Sequence, residues 1–248
     1  MYDPQETLRT LDAHRWAVVA VCGAAMLCNY VWFVDALRIA RRHRSYSIPP
    51  FCVLLWFAHD ASFALRYRTW FTTYHHWYPE LFWAALVLTA AVGALFLAQI
   101  LRYGHQDLAP GLTPALYRAG VLATAAGACV VWAYLKWALD DPLYLLSFHL
   151  TNVLYPAFGI ALTLRRGSRR GQTMLMYAAA FGVSACWFAA SVLWLGPQFR
   201  TWPWIALGTV TLVWSAAAAA VLHRAPAHRP EAAGAAEAPA LVPTPQVG

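Results

Sequence analysis

Seven separate stretches of about twenty apolar residues, parted by short segments rich in arginine, constrain this chain more than anything else in it. A helix needs roughly that length to cross a bilayer's hydrocarbon. Inside the bilayer every backbone polar group must be satisfied within the structure, which leaves the helix as the form such runs adopt. They cover about 16–37, 48–67, 81–101, 116–139, 143–164, 173–195 and 202–222. The fold class read from them is all-α: a polytopic membrane protein built as a seven-transmembrane-helix bundle over 16–222. A polar segment at 1–15 precedes it and an Ala/Pro-rich tail at 223–248, expected to be disordered, follows it.

Composition agrees with that reading. Hydrophobic residues make up 60% of the chain and charged residues only 12%, against about 25% charged in soluble domains. The 13 Trp and 12 Tyr suit interfacial belts and cavity walls. Residues 1–15 are too charged to be the hydrophobic core of a signal peptide. Pro49, Pro50, Pro79, Pro114, Pro142 and Pro203 fall near the starts of runs, where helices tolerate proline. Pro156 lies inside the fifth run and is expected to kink it.

The formal charge of +7 is carried almost wholly by arginine, since Lys136 is the one lysine. These cations sit between the apolar runs, so they report topology rather than nucleic-acid binding. With the N-terminus outside, the inner segments hold twelve Lys or Arg and the outer segments six. That favours an N-out, C-in arrangement. Arg-over-Lys usage and abundant Ala fit a bacterial inner (plasma) membrane. Cys22, Cys28, Cys52, Cys129 and Cys186 occur singly with no C-x-x-C pair, which suggests neither a disulfide frame nor a zinc site. No metal and no cofactor is expected.

The second run carries ionisable groups at its centre, His59 and Asp60. Such groups are costly at membrane depth and mark a functional site by default. On a helix, Trp56 lies one turn before Asp60, Phe63 one turn after and Tyr67 two turns after. A lone acid in an aromatic wall is a poor strut and suits a proton donor. By the rise per residue Asp60 lies roughly 10 Å below the outer surface. His149, Asn152 and Trp187 fall at a similar depth, so all four are expected to line one cavity. Asp35 lies near the inner end of the first run, about 15 Å lower by the same measure.

Structural roles compete for each of these residues. Asp60 can be an interhelical hydrogen bond, His59 a packing residue, and His149 and Asn152 interhelical glue. Asp35 can pair with Arg38 or Arg41. Asp140 and Asp141 precede Pro142 at a helix junction and suit capping. His75 and His76, among Trp70, Trp77 and Tyr78, suit the membrane interface.

Several chemistries are excluded or weak. Asp140-Asp141 continues into Pro142, Leu143 and Tyr144, so there is no D-D-x-x-D magnesium-diphosphate motif. A retinal Schiff base needs a lysine in the last helix, and Lys136 ends the fourth. His59 and His149 are the one pair that a bis-histidine haem would use, a weak signal.

Three segments carry a family resemblance. Arg44-Ser45-Tyr46-Ser47-Ile48-Pro49 resembles an R/K-x-Y-x-M/I-P segment entering a second helix. Phe57-Ala58-His59-Asp60 with Phe63 and Tyr67 resembles an N-F-x-W-E-x-x-Y stretch. Asn152, with Arg166-Gly167-Ser168-Arg169-Arg170-Gly171-Gln172, resembles a fifth helix and its R-G-x-x-x-G loop. Together with length and helix number, these are similar to the small seven-helix integral-membrane terpene cyclases of fungal meroterpenoid and indole-diterpene pathways and of bacterial indole-sesquiterpenoid (drimentine-type) pathways. The chain departs from that pattern in two places. Its acid is Asp preceded by His rather than Glu preceded by Trp, and 202–222 lacks the second acid expected near the last helix, so that either Asp35, Asp140 or Asp141 substitutes or the reaction manages with one acid.

The resemblance implies metal-independent cyclisation of a lipid-soluble prenylated (farnesylated) substrate, made by an upstream prenyltransferase and drawn from the lipid bilayer. Asp60 would be the general acid, His59 or His149 its orienter or the terminal base, and Trp56, Phe63, Tyr67 and Trp187 the wall, with Asn152 also contacting substrate. The residue types suit that chemistry. An apolar setting favours the neutral form of a carboxylic acid, aromatic faces stabilise carbocations by roughly 0.5–2 kcal/mol each, and a dry cavity keeps water from quenching them. The competing class is a small-molecule or proton-coupled transporter or receptor using the same cavity. Turnover of a farnesylated compound, as opposed to binding or movement alone, separates the two.

Overall fold

A computed structural model describes residues 2–228, and among these the structure is helical, with no strand. Six helices are long and apolar enough to cross a membrane, as suits an integral membrane protein. They are α2 (Arg15–His43), α4 (Trp77–Tyr103), α6 (Pro114–Ala138), α7 (Leu145–Arg166), α8 (Met174–Trp194) and α9 (Trp202–Arg224). The second run forms α3 (Pro50–Ala64), which is apolar but only 15 residues long. After a turn at Leu65 and Arg66 the chain resumes a helical path into a π-helical segment at Thr69–Tyr74. A short helix α5 (His105–Leu108) follows α4, and a 3-10 turn at Pro197–Arg200 joins α8 to α9. His223 and Arg224, assigned by sequence to the tail, belong to α9. Of the rest of that tail, Ala225 and Pro226 accept through their carbonyls from Arg169, and 229–248 lies outside the described residues.

The polar N-terminal segment is itself structured as α1 (Pro4–Ala13). Asp3 caps it by accepting from the Gln5 and Glu6 amides, and Pro4 occupies the first turn, where its missing N–H costs nothing. Thr7, Leu8 and Leu11 form its buried stripe. Tyr2 and Thr7 tie this end down, the phenol donating to Asp141 and the hydroxyl to the Leu195 carbonyl at 3.2 Å. Burial, with the Asp141 charge beside it, holds the Tyr2 phenol well above its ordinary value.

Asp141 anchors the start of α7. Its two oxygens accept from the Leu145 amide at 2.9 Å, the Ser147 amide at 2.8 Å and the Ser147 hydroxyl at 2.7 Å, besides Tyr2. These amides open a helix and have no intrahelical partner, so the capping expected of this acid pair falls to Asp141.

The helices form a ring. α2 packs along α8, α8 and α7 along α9, α7 on α3, and α3 along α4, with α6 outside α3. The ring closes poorly between α2 and α4, which touch at few points. Pro156 stands inside α7 and leaves the Asn152 carbonyl without its usual helical donor.

At one end of the bundle two of the motif-bearing segments meet. The Tyr46 hydroxyl accepts from Arg165, the Tyr46 carbonyl accepts from Arg166 Nη2 at 3.1 Å, and the Arg166 guanidinium lies 4.3 Å above the Tyr46 ring. Asp107 from α5 pairs with both Arg166 at 3.0 Å and Arg170 at 3.2 Å. Gly171, at φ 72°, turns its amide to His43 Nδ1 at 3.0 Å, and the Tyr46 carbonyl lies only 2.8 Å from where a side chain would begin. Glycine is needed there both for its dihedral and for its size.

Candidate functional site

Asp60 sits in the wall of a small chamber lined by four helices. α2 supplies Met26, Asn29, Trp32 and Phe33, α3 supplies Trp56 and Asp60, α4 supplies Leu86 and Thr89, and α7 supplies Phe148, Thr151 and Asn152. Its volume is about 40 Å³, room for roughly two or three waters. The polar residues Asn29, Thr89, Thr151 and Asn152 line it with Asp60, and the rest of the wall is aromatic or aliphatic. Trp56 is fixed by its indole N–H, which donates to the Thr151 carbonyl at 3.0 Å across the α3–α7 contact. Trp32 packs against it edge-on with ring centres 5.2 Å apart, and Phe33 lies 6.2 Å from it.

The neighbouring His59 is buried and shares a 2.6 Å hydrogen bond between its Nδ1 and Asp60 Oδ1. Its ring lies among Trp132 (5.0 Å), Tyr144 (5.6 Å) and Phe148 (5.6 Å). Its Nε2 is buried with no hydrogen-bond partner among the described residues. A neutral imidazole has one donor and one acceptor nitrogen, so the ring has a polar atom in reserve beyond the one engaged by Asp60.

The other residues expected from sequence divide between this chamber and other places. Asp60, Trp56 and Asn152 line it together. His149 does not. Its Nδ1 faces the Leu145 carbonyl at 2.6 Å and its Nε2 the Trp187 carbonyl at 3.1 Å, among the rings of Phe188 and Trp204. It ties α7 to α8 rather than facing Asp60. Phe63 is buried in a separate stack, on Trp70 at 4.1 Å and edge-on to Phe82 and Tyr144. Tyr67 follows the turn at Leu65, is half exposed, and stacks on Phe71 at 4.4 Å. The turn breaks the helical register from which its position was extrapolated. Asp35 accepts from the Thr173 hydroxyl at the start of α8 and forms no ion pair with Arg38 or Arg41 among the described residues.

Trp187 is buried, 4.8 Å from Phe148 by ring centres, and lies in the wall of a second space. That space is a cleft of about 400 Å³ between α2 and α4. Met26 borders both it and the Asp60 chamber.

Sequence reasoning missed Asn29, Trp32, Thr89, Phe148 and Thr151. For Asn29 and Thr89 a signal was present, since each is a polar residue inside an apolar run. For Trp32 and Phe148 none was, because one aromatic residue among many apolar ones carries no mark of its side.

No family model, no curated protein and no solved structure matches this chain.

Proposed function

We propose that the protein is an integral-membrane, acid-initiated terpene cyclase, in which Asp60 in its protonated form gives a proton to the terminal alkene or epoxide of a prenylated substrate. The observation that carries this reading is the carboxyl of Asp60 in a chamber walled by Trp32, Phe33, Trp56 and Phe148, with His59 hydrogen-bonded to it. Proton transfer leaves a carboxylate on Asp60 and a carbocation on the substrate. His59 steadies the carboxylate through Nδ1, and the ring faces stabilise the cation electrostatically as it moves along the chain. Ring closure then proceeds without water until a carbon next to the cation gives its proton back to the Asp60 carboxylate, which restores the acid, so that substrate and cyclised product are isomers. The similarity of the segments at Arg44–Pro49, Phe57–Asp60 and Arg166–Gln172 to the membrane terpene cyclases supports the same reading.

The proposal includes a seventh crossing by the run from Pro50 to Tyr74. α3 alone rises roughly 22 Å, short of the hydrocarbon thickness of about 30 Å, but the helical path continues after Leu65 and Arg66. The two ends of this run also lie beside opposite ends of α7. Tyr46, just before it, meets Arg165 and Arg166, whereas Phe63 and Trp70 pack on Tyr144.

Asp60→Asn tests the mechanism. The amide keeps the shape of the acid but has no such proton to give, so product formation should fall at least about 10²-fold, the lower range for losing a general acid, while substrate binding persists. Asp60→Glu should retain measurable turnover, and EDTA should leave the rate unchanged. The assay is product formation from a farnesylated aromatic substrate in membranes, read by mass spectrometry and NMR. Full turnover by Asp60→Asn, or abolition by EDTA, would overturn the assignment.

A further inference from the structure

At the end of the bundle opposite Arg165 and Arg166, cations from two elements meet the ring of Tyr144 at the head of α7. Lys136, in the last turn of α6, holds its ammonium 4.3 Å from the ring centre, and Arg66, in the turn after α3, holds its guanidinium 5.8 Å from it. The ring is buried and is braced edge-on by Phe63 and Trp70. Both cations line an open pocket of about 450 Å³, whose wall also includes Thr69, Tyr74, Trp137, Asp140 and Asp141. That volume lies in the range of roughly 300–1,000 Å³ that small-molecule sites occupy. Two positive and two negative side chains therefore share one wall, yet none of them pairs with another among the described residues. For Asp141 the reason is plain. A carboxylate offers about four acceptor sites, and Tyr2, Leu145 and Ser147 fill them. Asp140 is exposed and makes no such bonds.

We infer that this pocket binds a zwitterionic phosphoammonium group of the phosphoethanolamine type, with its phosphate between Arg66 and Lys136 and its ammonium at Asp140 beside Trp137. Opposite charges that line one space without pairing are matched by a ligand that carries both signs and is neutral as a whole. A phosphate suits the cationic side, because its several acceptor oxygens can engage the guanidinium fork, the ammonium and the hydroxyls of Thr69 and Tyr74 together. The ammonium suits the other side, where a carboxylate and an indole face stabilise a cation. Position agrees with a headgroup. α6 is the least covered of the six long apolar helices, and near its end Tyr134 and Trp137 are exposed, as aromatic residues are at the headgroup level of a bilayer. The group can belong to a lipid of that leaflet or to a soluble phosphoethanolamine ester. No pocket residue lines the Asp60 chamber, and the inference is independent of the reaction proposed above.

The test is native mass spectrometry of the purified full-length protein in neutral detergent, titrated with phosphatidylethanolamine, phosphatidylglycerol and diacylglycerol of the same acyl chains. Calorimetry with glycerophosphoethanolamine forms the soluble arm. Phosphatidylethanolamine should fill one site about tenfold more tightly than either other lipid, since one lacks the ammonium and the other the whole group. Arg66→Gln and Lys136→Gln should each weaken it about fivefold, the scale of one exposed ion pair, and Lys136→Arg should restore it. Asp140→Asn should weaken phosphatidylethanolamine by a similar factor and leave phosphatidylglycerol unchanged or tighter. Arg68→Gln, which removes the same charge from outside the pocket wall, should change nothing by more than about twofold, and Tm in detergent checks that each variant is folded. Binding of glycerophosphoethanolamine without the lipid would keep the site and assign it a soluble ligand. Phosphatidylglycerol binding as tightly as phosphatidylethanolamine, an Asp140→Asn variant indistinguishable from the wild type, an equal loss in Arg68→Gln, or no saturable binding in either arm would overturn the inference.

Discussion

The bond between His59 and Asp60 joins neighbours in sequence that point about 100° apart around α3, so each side chain belongs to a different wall. Asp60 faces the chamber, while His59 lies against Trp132 of α6 and Tyr144 at the head of α7. In this arrangement the imidazole is a positioning residue that acts through the acid. His59→Phe keeps a ring in the aromatic collar and removes the hydrogen bond. It should lower kcat by tenfold or more with KM changed less than twofold, and should shift the alkaline limb of the pH–rate profile, along which a general acid is lost. Thermal stability in detergent is the control. An unchanged kcat and pH profile would reduce His59 to packing. The sequence made this pair legible because two ionisable residues inside a bilayer-length apolar run are rare. It made Asn152 and Trp56 legible because helical spacing carries a face across one or two turns. His149 was not legible in the same way, because depth and residue type do not say which side of α7 a ring leaves by, and its ring meets the Trp187 carbonyl of α8 and the Leu145 carbonyl of its own helix.

At the scale of the element, the start of α7 shows a local rule completed by a distant residue. An acid pair before proline reads as a cap, and Asp141 does cap Leu145 and Ser147. Nothing near it in sequence indicates Tyr2, 139 residues away, whose hydroxyl donates to Asp141 and accepts from the Leu143 amide at 2.9 Å. Asp141→Ala leaves the Tyr2 hydroxyl and two helix-opening amides buried without their acceptor. An exposed cap is worth about 0.5–2 kcal/mol, and hydrogen bonds to a charged group about 1.5–3 kcal/mol each, so a loss of about 3 kcal/mol is expected, read as a lowered Tm in detergent. Tyr2→Phe should cost about 1–2 kcal/mol on the same grounds. Its pH dependence carries a sign. The folded protein holds this phenol protonated above the ordinary value of 10.0, so its contribution is complete below pH 10 and is lost as pH rises beyond it. The wild type should therefore lose more stability than Tyr2→Phe between pH 9 and 11. Equal losses would mean that the phenol is not held.

At the scale of the whole molecule, the hydropathy pattern gave six of the helices to within about six residues at either end, because bilayer length is a coarse constraint that each of those apolar runs meets independently, whereas the second run forms a helix of only 15 residues. It did not give the weak seam between α2 and α4 or the turn at Leu65, since both depend on how neighbouring helices meet. Orientation depends on charge instead. Arg165, Arg166 and Arg170 gather with Asp107 and Tyr46 at the end where the arginine excess is greatest, and Tyr2, Asp12, Lys136 and Asp141 lie toward the other. The expected N-out, C-in topology, with seven crossings, can be tested by one labelling experiment on intact cells. In a background with the exposed Cys129 replaced by Ala, single cysteines are introduced as Arg42→Cys before α3, Thr73→Cys after it, and Ser168→Cys between α7 and α8. A membrane-impermeant maleimide should label Thr73→Cys from outside, and should reach Arg42→Cys and Ser168→Cys only after permeabilisation. Labelling of all three with the sides exchanged would invert the orientation and leave the seven crossings intact. Labelling of Arg42→Cys and Thr73→Cys from the same side would mean that the run from Pro50 to Tyr74 enters the membrane without crossing it, and Asp60 would then stand at the bottom of a re-entrant segment rather than midway along a span.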